Sequence, residues 1–125
     1  MIETGMRHLS ALTVDESLTA AAMGSGDMSV LATPAMLALM ENAAMLAVAS
    51  ELPEGCTTVG GHIDASHVRP TPLGKRVTAL AEVTRVEGKK IEFAVAAYCD
   101  DTLIGEGTHL RFIVERDKFL ARLNS

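Results

Sequence analysis

Thr33 and Glu41 stand eight positions apart in one strongly apolar segment, and His67 follows the carboxylate by 26 residues, just ahead of Arg69-Pro70-Thr71-Pro72. A hydroxyl, a carboxylate and an imidazole are the groups that move protons and activate oxygen nucleophiles. Glu41 is the one carboxylate of that segment before Glu51. Taking a charge out of water is costly unless partners or neutralisation offset it, and burial of this side chain would raise its pKa. Such a residue usually has a task. Plain structural readings stand beside the chemical ones: Thr33 as a helix N-cap, Glu41 as a satisfied structural carboxylate, His67 as an ordinary strand histidine.

The elements that must position these side chains are legible in outline. His8 to Asp15 has strand character, with apolar residues on both faces. Glu16 to Ala32 is rich in Ala, Met, Gly and Ser, with Gly24-Ser25-Gly26 as a flexible point, and reads as a loop or short helical turn able to lie over a pocket. Thr33-Pro34 opens a helix: threonine offers a capping oxygen, and proline fits the first helical position, where its missing N–H costs nothing. The helix runs to about Ser50, stops at Pro53-Glu54-Gly55, and is apolar nearly all round, so other elements must surround it. Period-two patterning then marks Cys56–Arg69, Arg76–Val86, Lys90–Cys99 and Leu103–Val114 as long strands. The links Glu87-Gly88-Lys89 and Asp100-Asp101 are short enough for hairpins, which makes the last three strands an antiparallel meander. Glu115 to Asn124 reads as a short amphipathic helix. One sheet cannot cover an apolar helix completely, so at least a homodimer is expected.

Composition narrows the function classes. A chain of 125 residues fits one domain, 1–125, and at 48% hydrophobic but 3% aromatic, with no Trp, it must pack with Ala, Val, Leu and Met. The formal charge of −5 argues against a nucleic-acid partner. Lys75-Arg76, Lys89-Lys90 and Arg116 with Lys118 are local basic clusters that can be solvated surface or contacts to a phosphorylated ligand. Cys56 and Cys99 have neither CxxC nor zinc spacing, which suits a reducing cytoplasm. His62 and Asp64 share a strand face, but no third ligand joins them from His8 or His109, so no metal site is expected. No secretion signal is visible, and the apolar stretch Pro34 to Ser50 falls short of the ~20 residues that span a bilayer, so no membrane partner is expected.

Several short segments, taken in order, carry a resemblance. They are Ala32-Thr33-Pro34 through Leu39-Met40-Glu41, Val59-Gly60-Gly61 leading to Ser66-His67, and Pro70-Thr71-Pro72-Leu73-Gly74. Val86-Glu87-Gly88-Lys89-Lys90 follows, then Gly105-Glu106-Gly107-Thr108-His109 with Arg111. This set, from about residue 30 to the C-terminus, resembles the fluoroacetyl-CoA thioesterase-like family of the α+β hotdog fold, in which an antiparallel sheet wraps a long central helix. The resemblance implies hydrolysis of an acyl-CoA thioester, with coenzyme A as part of the substrate and no other cofactor. It places the catalytic roles on Thr33, Glu41 and His67, a backbone glycine of the site on Gly60, and an arginine near the acyl end on Arg111. The segment Gly24 to Ala32 lacks the Phe-rich lid of the fluoroacetate-specific enzyme, so a general or different short-chain acyl-CoA is expected.

The chemistry fits these residue types. Thioester hydrolysis needs an activated oxygen and donors for the developing oxyanion. Glu41 can serve as base toward water or attack directly. His67 can orient water or protonate the thiolate, Thr33 can donate its hydroxyl, and Gly60-Gly61 lets backbone N–H groups approach the oxyanion, unless the pair marks only a bulge. Arg111 shares a strand face with His109 and can also be read as partner to an acidic neighbour. At ~1.5 Å per residue, Thr33 and Glu41 lie ~12 Å apart along the helix, too far for direct contact. Either substrate lies between them or two subunits meet, which puts the expected site at a dimer interface. Two alternatives remain open: a non-catalytic acyl-CoA-binding module, and another hotdog enzyme such as an enoyl-CoA hydratase, whose usual Asp/His motif is not found here.

Overall fold

Alternating apolar and polar side chains produce one sheet, and the apolar helix packs into its concave face. The computed structural model describes residues 1–125. Strand β1 (Arg7–Thr13) is followed by a 3-10 turn (Glu16–Leu18) and the one-turn helix α1 (Ala20–Met23). Helix α2 (Thr33–Ala49) then precedes β2 (Cys56–His67), β3 (Arg76–Glu87), β4 (Lys90–Cys99), β5 (Thr102–Glu115) and α3 (Arg116–Leu123). The five strands form one antiparallel sheet in the order β1-β3-β4-β5-β2, so the expected meander β3-β4-β5 is its centre and β2 is a free edge. Asp100, at φ 54°, turns the β4–β5 hairpin in the left-handed region that Asp tolerates. β1 ends two residues before the expected Asp15, and β2 stops at His67 rather than Arg69, where the chain turns toward Pro70.

The core uses the residues that composition left available. Met36, Met40, Ala43, Ala44 and Val48 of α2 pack on Val77, Ala79, Ala81, Ile91, Phe93 and Val95 of the sheet. Phe93 is the one aromatic ring in this core. The small alanines let α2 lie close to the strands, and the two flexible methionines fill the remaining gaps. The sheet leaves one stripe of α2 uncovered: Thr33, Ala38, Asn42 and Leu46 are exposed, and Glu41 is half-exposed.

Candidate active site

The segment Thr33-Pro34 starts α2 differently from the capping expectation. Ala32 occupies the N-cap position, no side chain caps the helix, and Thr33 is already helical. Its hydroxyl is therefore free of the backbone, and Oγ1 lies 2.8 Å from His67 Nδ1 at the end of β2. Either group can donate in that bond. Burial pushes the His67 pKa below the ordinary histidine value, against a backbone hydrogen bond at Arg69 that raises it. His67 Nε2 is buried without a hydrogen-bond partner. Thr33 and His67 line a cavity of about 300 Å³ whose other walls include Ala20, Ser25, Val30 and Arg69. The loop before α2 thus does lie over a pocket. It is tied down by the backbone: Ala20 N–H donates to Val30 O (2.8 Å), Ala21 N–H to Met28 O (3.1 Å) and Leu31 N–H to Thr71 O (2.8 Å).

Glu41 belongs to a second group of polar residues, two turns further along α2. Its carboxylate is not the buried charge that an all-apolar helix suggested: 42% of the side chain is exposed, because it sits on the uncovered stripe. Oε2 lies 3.9 Å from Arg111 Nη1. Gly60 on β2 faces this carboxylate so closely that a Cβ there would stand 2.8 Å from Oε2. The arginine itself is buried, with Nε donating to Thr58 Oγ1 (2.8 Å) and Nη2 to Thr58 O (2.9 Å). Burial lowers its pKa and Glu41 opposes that shift.

Within the single chain the three candidate residues therefore fall into a pair, Thr33 with His67, and a separate carboxylate, Glu41 with Gly60 and Arg111. Gly61 departs from its neighbour. Register runs Gly60↔Arg111 and then His62↔Leu110, so Gly61 is the extra residue of a β-bulge, packed against Phe112 rather than Glu41. His109 carries more than its rejected role as a metal ligand. The period-two spacing that puts it on the strand face of Arg111 holds in the structure, where it is buried on the inward face beside Arg111, with Nδ1 2.7 Å from His62 O and Nε2 3.2 Å from Arg111 Nη1. Its pKa is lowered, chiefly by burial and further by Arg111, while the His62 carbonyl and Glu41 oppose the shift.

Comparison with known proteins gives a consistent set of relatives for the chain and its fold. Residues 14–117 match the family described as fluoroacetyl-CoA-specific thioesterase. A fluoroacetyl-CoA thioesterase of Streptantibioticus cattleyicolor is 38% identical over 94 residues, covering 75% of this chain and 68% of that protein. The solved fluoroacetyl-CoA thioesterase FlK, as a threonine-to-serine mutant in complex with acetyl-CoA, matches with a TM-score of 0.93 at 30% identity, over 98% of this chain and 97% of that one. A Thermus thermophilus hypothetical protein, a thioesterase superfamily member, matches with a TM-score of 0.91 at 27% identity, over 99% and 92% of the two chains.

Proposed function

Because the chain belongs to the fluoroacetyl-CoA-specific thioesterase family, we propose that it hydrolyses a short-chain acyl-CoA to the free acid and coenzyme A, with Glu41, Thr33 and His67 as the reacting set. It is a thioester hydrolase of the hotdog fold. The observation that carries the residue assignment is the 2.8 Å bond between Thr33 and His67, 34 residues apart, at the wall of a cavity. A helix cap would need no such partner.

In this reading Glu41 takes a proton from water as the water oxygen bonds to the thioester carbonyl carbon. The Thr33 hydroxyl, oriented by His67, donates to the carbonyl oxygen as it gains charge, and the Gly60 backbone lies close to the same centre. Collapse of the tetrahedral intermediate breaks the carbon–sulfur bond, and the proton held by Glu41 passes to the departing thiolate. Burial favours neutral His67, so it orients the hydroxyl rather than standing as an acid. Coenzyme A enters only as part of the substrate.

We infer that the two polar groups meet when two copies associate. β2 is a free edge with unpaired backbone groups. In this reading β2 pairs antiparallel with its copy, which brings the Gly60 end of one strand beside the His67 end of the other. Glu41 of one protomer then faces Thr33 and His67 of the other, and the exposed stripe of α2 gains cover. A homodimer is thus the working unit, with higher assembly compatible with it.

The cavity wall supports a substrate outside the fluoroacetyl class. Its lining includes Ala20, Ser25 and Val30 and no phenylalanine, since Phe93, Phe112 and Phe119 lie on β4, β5 and α3, which fits a site without a phenylalanine lid. No helix is long and apolar enough to cross a membrane. Free Cys56 and Cys99 fit a reducing cytoplasm, which we take as the compartment. The test is free-thiol release from a panel of acyl-CoAs by wild type and Glu41→Gln. Turnover of short acyl chains by wild type, lost by about 10²-fold or more in the variant, is expected. No turnover on any acyl-CoA, or equal turnover by the variant, overturns the assignment.

A further inference from the structure

Below Gly60 lies a polar chain that the proposed chemistry does not touch: His109, Arg111 and Thr58. Its hydrogen bonds define the state of the histidine. Nδ1 is 2.7 Å from the His62 carbonyl, which can only accept, so Nδ1 carries the hydrogen. Nε2 is 3.2 Å from Arg111 Nη1, which can only donate, so Nε2 presents its lone pair. His109 is 1% exposed and its ring lies 6.0 Å, centroid to centroid, from Phe93, which leaves it little freedom to rotate. The guanidinium is then held on three sides, by Thr58 Oγ1, Thr58 O and His109 Nε2.

Nη1 is the atom shared between His109 and Glu41. It makes its hydrogen bond to the histidine and stops 3.9 Å from the carboxylate, where a direct charge-assisted bond would close to about 2.8 Å. We infer that His109 is a positioning residue that holds Arg111 back from Glu41, leaving the carboxylate near a compensating charge yet free to bond the attacking water. This rests on the reading of Glu41 as the reacting carboxylate. Without the acceptor at Nε2, an Nη1 hydrogen loses its partner and Glu41 is the carboxylate left beside it. The resulting ion pair engages Oε2, one of the two carboxylate oxygens otherwise open to water.

Two conservative variants separate the two ends of the imidazole. In His109→Asn the shorter amide still reaches the His62 carbonyl but offers nothing to Arg111. In His109→Gln the longer amide places an acceptor near the Nε2 position. His109→Asn is expected to lower kcat about ten-fold with KM nearly unchanged, and His109→Gln to keep most of wild-type kcat. In an Arg111→Met background, His109→Asn should add no further loss in kcat, whereas a purely structural histidine would show additive losses. Crystal structures of the two histidine variants read the same point without turnover: the Arg111–Glu41 distance contracts to about 2.8 Å in His109→Asn and stays near the wild-type value in His109→Gln. Equal kcat in the two variants, or an uncontracted distance in His109→Asn, overturns the inference. If wild type releases no thiol from any acyl-CoA, the hydrolase reading of this site fails, and the crystallographic distance still decides the role of His109.

Discussion

Replacing Gly60 by alanine is the sharpest perturbation of the carboxylate that leaves every polar group in place. Gly60 has no positive φ, so alanine adds only its methyl group and no backbone strain. That carbon would stand 2.8 Å from Glu41 Oε2, 3.3 Å from His109 Cε1 and 3.5 Å from Arg111 Nη1, where ordinary contact begins at 3.4 Å. The shortfall at Glu41 is about 0.6 Å. His109 and Arg111 are pinned by their hydrogen bonds, whereas Glu41 is the half-exposed tip of a flexible side chain, so the carboxylate yields. A 1 Å misplacement in a reacting group can cost about 10²-fold, so this shift predicts roughly a ten-fold loss in kcat. Stability should change by less than about 1 kcal/mol, since glycine-to-alanine at a compatible backbone position is neutral or mildly stabilising. Gly107→Ala is the control with the opposite signature. Its Cβ would press on the Asp64 carbonyl oxygen and lie 2.6 Å from Ala65 Cα, backbone that cannot swing aside, so about 1–3 kcal/mol of stability is lost. Thiol-release kinetics and thermal melts on both variants decide the matter. Wild-type kcat in Gly60→Ala, or a loss matched by a large fall in Tm, would refute the reasoning.

Thr33→Val removes the hydroxyl that meets His67, and thiol release should drop by at least about ten-fold with the fold intact. Refolding Thr33→Val together with Glu41→Gln should restore about a quarter of wild-type activity, because half the dimers are mixed and each holds one complete site; no recovery would place each site within one chain. Acidification should weaken the fold. Burial lowers the pKa of both His67 and His109, so the unfolded chain binds more protons than the native one. That contribution is complete above the ordinary histidine value of about 6.5 and is lost as pH falls through the lowered values. A denaturant midpoint that holds or rises between about pH 7.5 and 5.5 would contradict this sign.

Period two was clear enough in residues 76–114 to place three strands and their hairpins, because both faces of those strands have distinct partners. Lys90–Cys99 emerged with its bounds intact. The trio Thr33, Glu41 and His67 was visible by type, but its surroundings were not. An α-helix that is apolar all round does not announce which stripe the sheet will leave open, and so Glu41 read as buried when it is half-exposed. Thr33 before Pro34 looks like a cap in any sequence; only the strand returning 34 residues later draws its hydroxyl away. The part His109 plays was not legible because it lies in what each ring nitrogen faces, and those partners, His62 O and Arg111, are joined by the sheet rather than by the chain.

The extra residue at Gly61 governs which side of β2 faces the helix. Thr58 and Gly60 point inward as even-numbered positions, whereas Ile63, Ala65 and His67 are the less exposed residues beyond the bulge, with His62, Asp64 and Ser66 outward. In an uninterrupted strand residues 60 and 67 would differ in parity and look to opposite sides of the sheet. One surplus residue converts odd to even, and so lets a single strand serve the carboxylate at one end and the imidazole at the other. Removing Gly61 would leave every side chain of the site in the sequence and turn His67 away from it.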